Sequence, residues 1–111
     1  MINSEDYNGV CVLSVAGDLT GDECAKVRTV VEQSIDQRHV VNFAVDLEKC
    51  TYLDSEGLET VCWIKAKCDE LFGMMKLVAP DETCRKILEM TRLDERLEIE
   101  VDISTALKAM R

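Results

Sequence analysis

TYLDSEGLETVCW, residues 51–63, holds the transition on which the fold turns. An apolar, strand-like segment runs up to Asp54; Ser55, Glu56 and Gly57 follow, and from Leu58 the apolar residues recur at helical spacing. A strand that passes directly into a helix is a building unit of α/β folds. The serine at the junction has two readings. Its hydroxyl can cap the first helical turn, a contribution of about 1 kcal/mol, and Asp54 is equally able to do so. Alternatively the hydroxyl is a site of chemistry. The free N–H groups and partial positive charge of a helix N-terminus seat a phosphate. A phosphate here sets about two negative charges beside Asp54 and Glu56, and Gly57 leaves the turn open to an approaching partner.

Outward from this junction, strands and helices alternate. GVCVLSVAG (9–17) reads as a strand, DLTGDE (18–23) as a loop in which Thr20 or Asp22 starts a helix, and CAKVRTVVEQSID (24–36) as that helix, with Val27, Val30, Val31 and Ile35 on one face. HVVNFAVDL (39–47) is almost wholly apolar and β-branched, as a central strand buried on both faces must be. The helix that begins at the serine runs to about Phe72 and is stopped by Gly73. MMKLVA (74–79) is a strand; Pro80 breaks the chain, and Asp81 caps a helix with Cys84, Ile87, Leu88 and Thr91 on one face. LEIEVDI (97–103) alternates like an edge strand, and STALKAM (104–110) closes the chain as a short helix capped by Ser104. The order predicts an α/β fold, a mixed and largely parallel sheet packed with helices, in one domain over 1–111.

The chain has 111 residues, 47% hydrophobic and 32% charged, with a net charge of −9. That length suits one compact core. The charge disfavours nucleic acid and anionic lipid, which need a basic surface. No apolar run approaches the roughly 20 residues that span a bilayer, and the polar start MINSEDYNGV is unlike a secretory signal. The six cysteines, Cys11, Cys24, Cys50, Cys62, Cys68 and Cys84, sit mostly inside apolar periodic segments. They read as buried free thiols of a reducing cytoplasm.

No catalytic kit is present. The sequence has no GxxxxGK[ST] loop, no GxGxxG, and no cysteine with an arginine after a five-residue spacer. His39 is the sole histidine and reads as a strand-boundary residue, and no CxxC pair offers a metal site. Neither catalysis, metal nor cofactor is expected.

On a helical wheel of about 100° per residue, Val61, Ile64, Cys68, Leu71 and Phe72 share an arc with Leu58 beside it. Trp63 falls among Glu56, Glu59, Lys67 and Glu70. The indole is then either covered by another element or an interface anchor of the kind enriched at binding hot spots.

VDLEKCTYLDSEGLETV (45–61) resembles the signature of STAS domains, the family of bacterial anti-sigma factor antagonists, in which an apolar strand leads to a D-S-x-G-L turn. VLSVAGDLTGD (12–22) is similar to the family's first strand and its G-[ED]-L turn, MMKLVAPDETCRKILEMTRLDERLEI (74–99) to its later strand and v-r-x-[IV]-L-x-x-T-x-L helix, and STALKAM to its closing helix. The ordered set covers nearly the whole chain. The resemblance implies a non-catalytic, cytoplasmic regulator that binds an anti-sigma factor, a serine-protein kinase, and thereby frees a sigma factor. It implies phosphorylation at Ser55, which ends the binding. The family's first loop often reads G-E-L-D; here it reads Gly17-Asp18-Leu19-Thr20, with Asp22 nearby, and Glu56 stands where a small residue is common. The expected partner-binding set is Asp18, Thr20, Asp22, Asp54, Glu56, Gly57, Glu59 and Trp63. The alternative is a non-catalytic STAS subunit of a lipid-trafficking ABC transporter or of a stressosome-like complex.

Overall fold

The computed structural model describes residues 1–110. Seven strands and four helices alternate: β1 (Ile2–Tyr7), β2 (Val10–Val15), β3 (Gly17–Leu19), α1 (Gly21–Arg38), β4 (Asn42–Asp46), β5 (Cys50–Leu53), α2 (Ser55–Glu70), β6 (Met75–Val78), α3 (Glu82–Met90), β7 (Glu98–Glu100) and α4 (Ile103–Ala109). Five strands form the main sheet in the order β1-β2-β4-β6-β7. β1 runs antiparallel to β2, and the remaining neighbours are parallel. The sheet is therefore mixed and largely parallel, as the sequence pattern predicts.

Burial explains why β4 reads as an unbroken apolar run. Phe43 and Val45 point into the larger core, with Val27 and Val31 of α1, Val61 and Ile64 of α2 and Leu88 of α3. Ala44 points the other way, to a smaller cluster with Val10, Val12, Val78 and the α4 residues Ala106 and Met110. A strand covered on both faces cannot alternate polar with apolar side chains.

Two strands differ from the sequence reading. β1 lies in the polar start, which carried no strand expectation. It is an edge strand with one wet face, so it needs few apolar residues. Its signal was the Asn8-Gly9 pair: both have positive φ, 51° and 83°, as a tight hairpin turn to β2 requires. β3 lies in the segment read as a loop. It pairs with β5 in a separate two-stranded parallel ribbon, with Leu19 opposite Leu53.

Helix ends also differ. Gly73 does not stop α2 by adopting the left-handed conformation; Phe72 does, at φ 58° and 98% exposed. Gly73 is needed because a Cβ there would meet the Val41 carbonyl oxygen at 1.9 Å. Leu71 and Phe72 are exposed rather than core, because the helix ends before it carries them onto the sheet. Asp102, not Ser104, caps α4, accepting from the Thr105 N–H at 2.7 Å.

Candidate functional site: the Ser55 turn

β5 delivers Asp54 to the N-cap of α2, where Oδ1 accepts a hydrogen bond from the Gly57 N–H at 2.8 Å. The two readings of Ser55 separate at this point. Asp54 performs the capping, and Ser55 is the first helical residue, exposed. Its hydroxyl is not engaged in closing the turn.

Gly57 is buried and does not leave the turn open to a partner. A Cβ there would stand 2.3 Å from the Leu19 carbonyl oxygen. The first turn of α2 is thus pressed against the end of β3, and only glycine permits that distance. This close approach and the β3–β5 pairing bring the segment Asp18–Asp22 beside the segment Asp54–Glu59. Asp18 accepts from the Thr51 hydroxyl at 2.7 Å, a further tie across the ribbon. Thr20 occupies the N-cap position of α1 but makes no side-chain cap bond. Asp22, in the first turn of α1, and Glu56 and Glu59, in the first turns of α2, are exposed. Cys24 of α1 lies close by: burial raises its thiol, a hydrogen bond with Thr60 opposes this, and the charges of Glu56 and Asp54 add to the rise. The starts of the two helices are therefore adjacent. Among the described residues, no cation pairs with Asp18, Asp22, Asp54, Glu56 or Glu59. The exposed hydroxyl sits within unneutralised negative charge.

Trp63 is half-buried and packed against the larger core, not a free anchor. The Arg28 guanidinium of α1 and the Lys67 ammonium each lie 5.8 Å from its ring centroid, within cation–π range. The wheel placed the indole correctly among polar neighbours. It could not show that α1 packs along that side of α2, which the pairing of β3 with β5 brings about.

The arrangement presents one exposed hydroxyl at a helix start, the type of group that can accept a phosphoryl group. His39 caps the C-terminus of α1, the far end of an 18-residue helix from Thr20, a span of roughly 27 Å. Among the described residues, no group of three or more His, Cys, Asp or Glu side chains is arranged to hold a metal ion. Nor is any described helix long and apolar enough to cross a membrane.

The STAS domain profile matches residues 1–106. A search of curated proteins finds no significant match. Several solved structures share the fold. The anti-sigma factor antagonist SpoIIAA in its unphosphorylated form superposes with a TM-score of 0.87 at 19% identity, covering 98% of this chain and 95% of that one. The Bacillus cell fate determinant SpoIIAA in its phosphorylated form gives 0.81 at 20% identity, with 100% of both chains covered. An anti-sigma factor antagonist from Mycobacterium paratuberculosis gives 0.82 at 25% identity, covering 100% of this chain and 93% of that one.

Proposed function

The chain belongs to the STAS domain family, and from that membership we propose that it is an anti-sigma factor antagonist switched by phosphorylation of Ser55. In this reading it is a cytoplasmic binding protein and a kinase substrate, not an enzyme. The unphosphorylated form binds an anti-sigma factor that is also a serine-protein kinase, and phosphate on Ser55 ends the binding. The observation that carries the reading is the division of labour at the turn: Asp54 caps α2, so the Ser55 hydroxyl stands exposed at the helix start.

The site supplies both halves of a switch. The N-terminus of α2 stabilises the phosphate once attached. In a tight complex, however, a group with about two negative charges must be desolvated beside Asp54 and Glu56. A buried charge without a matching cation costs several kcal/mol, enough to dissociate a complex of ordinary affinity.

Incubation with the partner kinase and Mg-ATP adds one phosphate to the wild type and none to Ser55→Ala. Ser55→Ala keeps its affinity for that partner, while Ser55→Asp loses tenfold or more. Labelling that persists in Ser55→Ala moves the site elsewhere. A Ser55→Asp variant that binds as tightly as wild type overturns the switch and leaves the scaffold reading, a fixed subunit of a transporter or stressosome-like complex.

A further inference from the structure

Cys50 opens β5, the strand that runs into Asp54 and Ser55, and Cys84 lies in the first turn of α3. Both are 0% exposed. The Cys84 Sγ lies 3.4 Å from the Cys50 carbonyl oxygen, and the Cys50 Sγ lies 3.5 Å from the Tyr52 carbonyl oxygen. The remaining cysteines have no such neighbour. Cys11 and Cys24 lie on β2 and α1, and Cys62 and Cys68 on α2; burial pushes Cys11 and Cys68 up to about 11, which keeps them protonated and inert. Within the close pair, the neighbouring Cys84 thiol holds Cys50 below its ordinary value, and the Cys50 thiol together with burial raises Cys84.

We propose that Cys50 and Cys84 form a dithiol modification site, converted by a hydroperoxide into an intramolecular disulfide that ties β5 to the start of α3. The Cys50 thiolate attacks one peroxide oxygen, the O–O bond breaks, and the alcohol leaves with a proton. The Cys84 sulfur then attacks the Cys50 sulfenic acid, the S–S bond forms, and water leaves. Two thiols and one hydroperoxide give one disulfide, one alcohol and one water. Access comes through the ribbon. β5 pairs only with the three-residue β3, outside the five-stranded sheet. A two-stranded unit is marginal on its own, so local opening exposes Cys50 before the core unfolds. The disulfide then closes the loop that carries Ser55. This inference does not depend on phosphorylation or on any partner.

The test uses the purified, reduced protein and tert-butyl hydroperoxide, followed by alkylation in guanidinium and intact-mass measurement. The reduced protein takes six alkyl groups, one per cysteine. The oxidised protein takes two fewer. Trypsin should then yield peptide 50–65 joined to peptide 77–85. Peptide 50–65 also contains Cys62, so the link must persist in Cys62→Ser and vanish in Cys50→Ser. Six alkylated thiols after oxidation, a link through any other cysteine, or sulfinic acid at Cys50 without a link overturns the proposal. The wild-type peptide map decides the matter even where a serine variant folds poorly.

Discussion

A methyl group at Gly57 would stand 2.3 Å from the Leu19 carbonyl oxygen, a backbone atom that cannot give way unless β3 moves. In an open helix, glycine to alanine gains about 0.5–1 kcal/mol. Here the sign reverses. Gly57→Ala should destabilise the protein by about 1–3 kcal/mol, read as a lower urea midpoint at unchanged slope. A variant more stable than wild type would mean that β3 does not press on α2. Gly57 and Gly73 look alike in sequence, each read there as a local feature of its turn. Both are close-approach residues, and the contact each permits is with a distant strand. Such a contact leaves no trace in the neighbouring residues. Ser55 was legible down to its two readings, and Asp54's hydrogen bond to Gly57 separates them.

Aspartates cap three of the four helices: Asp54 for α2, Asp81 for α3 and Asp102 for α4. Asp102→Ala should cost about 1 kcal/mol, whereas Ser104→Ala should change little, and thermal unfolding of the two variants compares them directly. β6 carries a second element-scale device. Lys76 is buried in the strand and pairs with Glu98 and, at 3.2 Å, with Glu100 of β7. It pins a three-residue edge strand to the sheet. The hydrogen bond to Glu98 raises the Lys76 pKa, against the lowering effect of burial. A raised folded-state value contributes stability that is fully present below the ordinary lysine pKa of about 10.4. That contribution is lost as pH rises through the folded value. Lys76→Met should therefore cost about 1–2 kcal/mol near neutral pH, discounted because Glu98 is largely exposed. The gap to wild type should narrow in strongly alkaline urea titrations, where Lys76 loses its proton. A Lys76→Met variant as stable as wild type at neutral pH would contradict the pairing. Helices with apolar periodicity and caps were legible in the sequence. β1 and β3 were not, because a polar edge strand and a three-residue strand carry too few apolar positions to make a pattern.

The whole molecule carries a net charge of −9, and among the described residues Asp22, Asp54, Glu56 and Glu59 at the starts of α1 and α2 make no ion pair. Self-repulsion of this kind is screened by salt. Raising sodium chloride from about 0.01 to 0.5 M shortens the Debye length from roughly 30 Å to under 10 Å and should raise Tm. A Tm that falls would indicate that the surface ion pairs outweigh the repulsion. At this scale the architecture was readable, since alternating strands and helices admit few arrangements. The set Asp18, Thr20, Asp22, Asp54, Glu56 and Glu59 came from the family resemblance, not from the pattern of the chain. Its assembly depends on the β3–β5 ribbon, which periodicity did not reveal. Trp63 was placed on the right side of α2, but what covers it lay on another helix.

That covering has a practical consequence. Trp63 is the chain's single tryptophan. It shares α2 with Ser55, and its ring is flanked by Arg28 and Lys67. Indole emission depends on nearby charge and on exposure to water, so the protein carries its own fluorophore on the helix that begins at Ser55. A partner docking along α2, or a charge added at its start, registers in the colour and intensity of that one emitter. The proposed switch can be followed in real time on unlabelled protein, with Trp63→Phe as the dark control.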